Sequence, residues 1–255
     1  MAAEAARRRP RGRPGGSLGA DLLAIAREVF LTHGYPGATM DQVAARARIS
    51  KQTLYREYPS KEQLYAEVVR DWVDRGYDAM RPHTQALAEA TDIRAGLLRL
   101  AHVLHVGVLS EPVLRMRSLV ATESTRFPDV AADYVARSWT RNIHLLADAL
   151  AILTTRGLIK AGDTLVAAQQ FTWLILGDPL NRLTLAARSE PADVGELAQL
   201  REEAVTTFLS RYGLPASHCA DGVHHEIADV AEVSAGVVHE TLKTDGASTD
   251  QPPPA

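Results

Sequence analysis

The stretch ARARISKQTLYREYPSKEQLY, residues 45–65, decides how the rest of the chain is read. Two helix starts, Ser50 and Ser60, lie within ten residues of each other. Ser50 can cap a helix running through Thr53, Leu54 and Tyr55, and Pro59 stops it, because the residue before a proline avoids the α region. Ser60-Lys61-Glu62-Gln63 has the form of a capping box and opens a longer helix carrying Leu64, Val68, Val69 and Trp72 on one face. The segment between them has room for only about two helical turns, too few to be stable in isolation. Its neighbours must hold it, so building core is not its purpose. Leu54 can anchor it inward. Lys51, Gln52, Thr53, Tyr55 and Arg56 are left for the exposed faces.

Those residue types suit DNA. Lysine and arginine neutralise phosphate, threonine and tyrosine hydroxyls bond phosphate oxygens, and glutamine can read the N6/N7 edge of adenine. A short helix that enters the major groove by its N-terminus is the second helix of a helix-turn-helix. Upstream, Leu18, Leu22, Ile25, Ala26, Val29 and Phe30 are spaced as a helix that stops at Gly34. Thr39-Met40-Asp41-Gln42 is a further capping box, followed by a short apolar face of Val43, Ala44 and Ala47. Pro82 is expected to end the long helix that starts near Ser60.

With these positions in hand, GYPGATMDQVAARARISKQTLYREYPSKEQLYAEVV resembles the DNA-binding region of TetR-family transcriptional regulators. LVATESTRFPDVA, residues 119–131, resembles a segment of one group of that family's C-terminal domains. The resemblance implies phosphate contacts from Thr39, Thr53, Tyr55 and Lys61. It implies base contacts led by Lys51 and Gln52, with Arg56 between phosphate and base. Two positions depart from the pattern. Arg48 stands in a turn that usually carries glycine; a left-handed residue with a Cβ costs roughly 1 kcal/mol, and Arg48 is a candidate phosphate contact. Glu57 would be repelled by phosphate and is expected to pair with a neighbour such as Arg56 or Lys61.

The bulk properties fit. The chain has 255 residues, a net charge of −3 and 5% aromatic residues. Alternating strand patterns bounded by tight-turn dipeptides are missing, which favours an all-α fold. A single cysteine, Cys219, excludes an intrachain disulfide. No run of apolar residues is long enough for a membrane span, and the arginine-rich start is not a secretory signal, so a cytoplasmic protein is expected. Charge is polarised. Residues 1–16 hold five arginines against Glu4, and residues 215–255 hold seven acids against Lys243. Pro10-Arg11-Gly12-Arg13-Pro14 resembles an AT-hook core, which makes Arg11 and Arg13 candidate minor-groove contacts.

The expected organisation is a basic arm (1–16), a helix-turn-helix domain (17–65), a ligand-binding and dimerisation domain (66–214) and an acidic tail (215–255). About nine helices are expected. Those beyond Pro82 fall near 92–109, 112–124, 128–156, 163–187 and 193–212, with Pro179 kinking the fourth. His102 and His105 lie on one face of an otherwise apolar helix. They either bond a ligand in a cavity or find protein and water partners. His144 shares a face with Arg137, Arg141 and Asp148 and is expected in solvent. Met116, Trp139, Phe171 and Trp173 are further candidates for lining a pocket, each with core packing as the alternative. The His218, Cys219, His224 and His225 tract and a turn at 227–233 are weak features of the tail. No cofactor or metal is expected, and the phosphate loops and nucleophile elbows of enzymes are missing. The resemblance implies a homodimer joined through the helices at 163–187 and 193–212. That dimer would bind a palindromic operator in double-stranded DNA and be released, as a repressor, by a small-molecule effector. The alternative from another class is an architectural DNA-binding protein with no effector.

Overall fold

The computed structural model describes residues 15–185 and 193–214, with side chains from Asp21 onward. Arg11, Arg13, the acidic tail, its histidine and cysteine tract and the 227–233 turn lie outside the described residues. Every described element is helical except for one isolated bridge between Ile159 and Gly213. The chain divides into two compact units, with the break after Val68.

The first unit holds α1 (Gly15–Gly37), α2 (Met40–Arg46), α3 (Lys51–Glu57) and the start of α4 (Lys61–Glu89). The helical path of α1 breaks at Gly34, whose φ of 65° is the left-handed conformation that glycine adopts most easily. That break delivers Tyr35 into an aromatic core. Its ring stacks on Phe30 at 5.9 Å, and Tyr65 meets Tyr35 edge-on at 5.1 Å. Thr39 forms the complete capping box with Gln42. The Ser60 hydroxyl accepts from the Gln63 amide at 3.2 Å and starts α4.

The second unit begins within α4, which does not end at Pro82 as expected but runs seven residues further, to Glu89. An interior proline removes one backbone bond and crowds the preceding turn, at a cost of about 3 kcal/mol. Burial beyond it offsets that cost: Thr84, Leu87 and Ala88 are buried, and the Thr84 hydroxyl donates to the Arg81 carbonyl at 2.9 Å. Next come α5 (Ile93–Val108), capped by Asp92, and α6 (Glu111–Glu123), with Pro112 in its first turn. Helix α7 (128–155) is continuous but not uniform. Pro128–Tyr134 and Arg141–Thr155 are α-helical, and Val135–Thr140 between them is a π-helical segment. Helices α8 (Thr164–Leu185) and α9 (Val194–Tyr212) complete the fold, so nine helical rods are described. Asp163 caps α8 through the amides of Leu165 and Val166, both at 3.0 Å. Pro179 lies inside α8 and is buried. The core joins Leu97, Leu100, Leu150, Leu153, Phe171, Ile175, Val205 and Phe208.

Candidate nucleic-acid interface

The geometry of the first unit starts with the turn between α2 and α3. Ala47 closes α2, and Arg48 then takes a φ of 54°, the left-handed conformation expected at this place. The Ile49 amide reaches back to the Ala44 carbonyl at 3.1 Å, and Ser50 accepts from the Thr53 amide at 3.0 Å to start α3. Leu54 has no exposed surface and anchors the helix. The Tyr58 amide donates to the Leu54 carbonyl at 2.8 Å and closes α3 before Pro59.

Around that anchor, Lys51, Gln52, Tyr55 and Arg56 are exposed. Tyr55 keeps 47% of its surface open. Thr53 is half-buried, and its hydroxyl lies 2.8 Å from that of Ser50. Lys51 pairs with Asp41 on α2. Arg56 reaches Glu57 at 3.5 Å, the partner expected to turn that carboxylate aside. Arg48 and Thr39 are exposed at the two ends of α2.

Lys61 has a more internal position than a free surface cation. Its Nζ donates to the carbonyls of Tyr35 at 2.9 Å and Ala38 at 3.0 Å, and it lies 4.3 Å from the centre of the Tyr35 ring. Both carbonyls belong to the chain between the Gly34 break and α2. Lys61 therefore ties the entrance of the helix-turn-helix to the first turn of α4. Next to it, the Tyr35 hydroxyl donates to Glu62 at 2.9 Å. The capping-box pattern marked position 61 as a helix start, but it carried no sign of these two carbonyls.

In the second unit the six pocket candidates do not converge. Met116 and Phe171 are fully buried in the core, and Phe171 meets Phe208 edge-on at 5.2 Å. His105 is buried with both ring nitrogens engaged by protein groups, and His102 is half-buried one turn earlier. Burial, then the Arg201 charge, lowers the pKa of His102. Trp139 and Trp173 come together, 5.4 Å apart. They border an open groove of about 570 Å³ that also touches Ile143, His144, Leu165, Val166 and Gln170. Trp173 is 55% exposed.

Two features of this unit escaped the sequence. His144 is exposed, as expected, but Arg137 and Arg141 on its face are tied to acids. Arg141 donates to Asp74 at 2.9 Å and lies 3.7 Å over the Tyr77 ring, while Arg137 bonds both Asp133 and Asp74. Those acids hold the Arg137 pKa above its ordinary value, with the Asp133 hydrogen bond the largest cause. The second feature is Arg201, whose guanidinium meets His105. An i, i+3 histidine pair gave warning of a buried polar node but not of its partner on another helix.

A three-helix head with one short, outward-facing helix, followed by a separate helical unit, defines a helix-turn-helix regulator. Comparison with known proteins makes the class specific. The model of bacterial regulatory proteins of the tetR family matches residues 22–68, and that of the AefR-like transcriptional repressor C-terminal domain matches residues 95–214. The chain belongs to the TetR family of transcriptional regulators.

The chain is 43% identical over 76 residues to the HTH-type transcriptional activator FasR of Mycolicibacterium smegmatis, covering 30% of this chain and 33% of that protein. It is 32% identical over 86 residues to the HTH-type transcriptional repressor SCO4008 of Streptomyces coelicolor, covering 27% of this chain and 45% of that one. The match thus spans a third of the first curated relative and less than half of the second. A crystal structure of a TetR-family regulator from Mesorhizobium loti superposes with a TM-score of 0.76 at 28% identity, covering 80% of this chain and all of that one. No single described helix is long and apolar enough to cross a membrane.

Proposed function

We propose that this chain acts as a homodimer that binds a palindromic operator through α3 and is released from it by a small-molecule effector, in the sense of a repressor. The observation that carries this reading is the exposure of Lys51, Gln52, Tyr55 and Arg56 around a completely buried Leu54. A seven-residue helix with one buried side chain contributes little core; its surface is what it offers. In this reading Lys51 and Gln52 lead the base contacts. Thr39, Arg48, Thr53 and Tyr55 bond phosphate, Arg56 serves either, and Arg11 and Arg13 reach into a flanking minor groove. Lys61 has one N–H left for phosphate once its two carbonyl bonds are made.

One recognition helix reads few bases, so two copies on a two-fold site are the economical arrangement. The outer faces of α8 and α9 support it. Val166, Trp173, Leu174 and Val194 are large apolar side chains left open to water, as expected of surfaces that another chain covers. On this reading the Trp139 and Trp173 groove borders the dimer face. A bound effector would act by favouring a separation of the two α3 helices other than the roughly 34–36 Å that one helical turn of DNA demands.

Footprinting on DNA upstream of the chain's own gene tests the proposal. A protected palindrome with two half-sites is expected. Uniform coating with no defined site would instead support an architectural protein.

A further inference from the structure

His105 is a buried histidine whose hydrogen-bond partners dictate its proton. It is 4% exposed. Its Nε2 lies 2.8 Å from the Ile175 carbonyl on α8, and its Nδ1 lies 3.1 Å from Nη1 of Arg201 on α9. A carbonyl can only accept, so Nε2 carries the hydrogen. A guanidinium can only donate, so Nδ1 must present its lone pair. One neutral tautomer satisfies both partners. The imidazolium cannot: a proton on Nδ1 would point at an N–H and set a second positive charge against the guanidinium.

We propose that His105 is a proton-operated lock, tying α5 to α8 and α9 while its ring is neutral and releasing Arg201, and with it the middle of α9, when the ring takes up a proton. The surroundings favour the neutral ring. Burial first, then the charges of Arg201 and His102, lower its pKa from the ordinary 6.5, against an opposing contribution from the Ile175 bond. The packed elements carry several acids: Glu123 on α6 is buried, Glu203 on α9 is exposed, and Glu196 on α9 accepts from Arg182 at 2.8 Å. Glu202, next to Arg201 in sequence, pairs with Arg94 at 2.7 Å. On α8, Asp178 pairs with Arg182 at 3.0 Å, and on α6 Glu111 pairs with Arg115 at 3.9 Å. None of them bonds His105, whose two ring nitrogens meet Ile175 and Arg201.

The sign of the effect follows. With the folded pKa below the unfolded one, the unfolded or locally opened state binds more protons in the interval between them. The stability of the node is therefore full above the ordinary value and falls as pH drops below 6.5 towards the lowered value. Within that interval, opening of α9 grows by up to about tenfold per pH unit.

Two measurements on the full chain test the lock. Nitrogen-15 shifts of labelled histidine at pH 7.5 should show His105 as the neutral form with hydrogen on Nε2. Amide exchange across 197–207, corrected for intrinsic rates, should accelerate several-fold between pH 7 and pH 5. His105→Gln cannot charge, so its exchange in this segment should not change over that range. Arg201→Met should let His105 titrate at a higher pH than in the parent. The proposal fails if His105 carries its hydrogen on Nδ1 at pH 7.5, if the parent's exchange is flat with pH, or if His105→Gln responds as the parent does. The nitrogen-15 readout does not depend on the dimer or the operator, and the difference in exchange between the parent and His105→Gln cancels any pH effect of pairing through α9, so a failed footprint leaves both intact. A further consequence, that operator affinity falls in mild acid, does rest on the proposed function.

Discussion

The two units treat polar side chains in opposite ways. Around α3 most are aimed outward from one apolar anchor, and the caps and pairs that shape the helix ends lie close in sequence: Ser50 with Thr53, Thr39 with Gln42, Arg56 with Glu57, with Lys61 the long-range exception. In the second unit the decisive polar groups reach across the fold. His105 meets Arg201 and the Ile175 carbonyl, and Asp74 meets Arg137 and Arg141. A surface built from local rules can change its reading residues at little cost to folding. A node built from distant partners cannot lose one without stranding another, because a buried polar group left unpaired costs about 1–3 kcal/mol.

The largest expected effect is on the anchor of the first unit. Leu54→Ala should remove about 2–5 kcal/mol of stability, read by chemical denaturation, and abolish specific DNA binding with it. Retained stability would mean that α3 is not held as described. Gln52→Ala should leave stability within about 0.5 kcal/mol. It should cost about 1–3 kcal/mol of discrimination at one base pair, read by binding to an operator library.

Lys61→Met tests the long-range exception in the first unit, the bonds from Lys61 to the Tyr35 and Ala38 carbonyls. Loss of two bonds from a charged donor should cost about 1–3 kcal/mol in thermal unfolding. If its remaining N–H also grips phosphate, the salt dependence of operator binding should flatten by about one unit. An unchanged slope with lost stability would make Lys61 a positioning residue alone.

Arg48→Gly should relieve the left-handed backbone and raise stability by up to about 1 kcal/mol, measured by the shift in unfolding midpoint. Smallest of all, Glu57→Ala should change stability by less than about 0.5 kcal/mol, because its pair with Arg56 is exposed, while modestly tightening binding to any DNA.

Much of the first unit was legible because its signals are local. The capping box at Thr39, the cap at Ser50, the break at Gly34 and the stop at Pro59 each act within a few residues. Arg48 was expected in a left-handed turn and is found there, at a φ of 54°. The second unit was legible only in outline. Its helices begin and end within a few residues of the expected places, since Asp163, Pro128 and Gly157 punctuate them. Pro82 misled because local propensity argued for a stop, whereas burial of Leu87 and Ala88 beyond it carried α4 on to Glu89. The π-helical segment at Val135–Thr140 had no sequence mark at all. Met116 and Phe171 were pocket candidates that read more readily as core, and packing made them core.

By itself, the order of residues determined the all-helical class, the helix-turn-helix and the side chains that α3 presents, because periodicity, caps and breakers act over one or two turns. Tertiary structure alone decided which polar groups meet: Lys61 with the Tyr35 and Ala38 carbonyls, Arg141 with Asp74, and His105 with Arg201. The reason is physical. A side chain's own sequence sets what it can donate or accept, but only the packing of distant helices brings the complementary group within 3 Å.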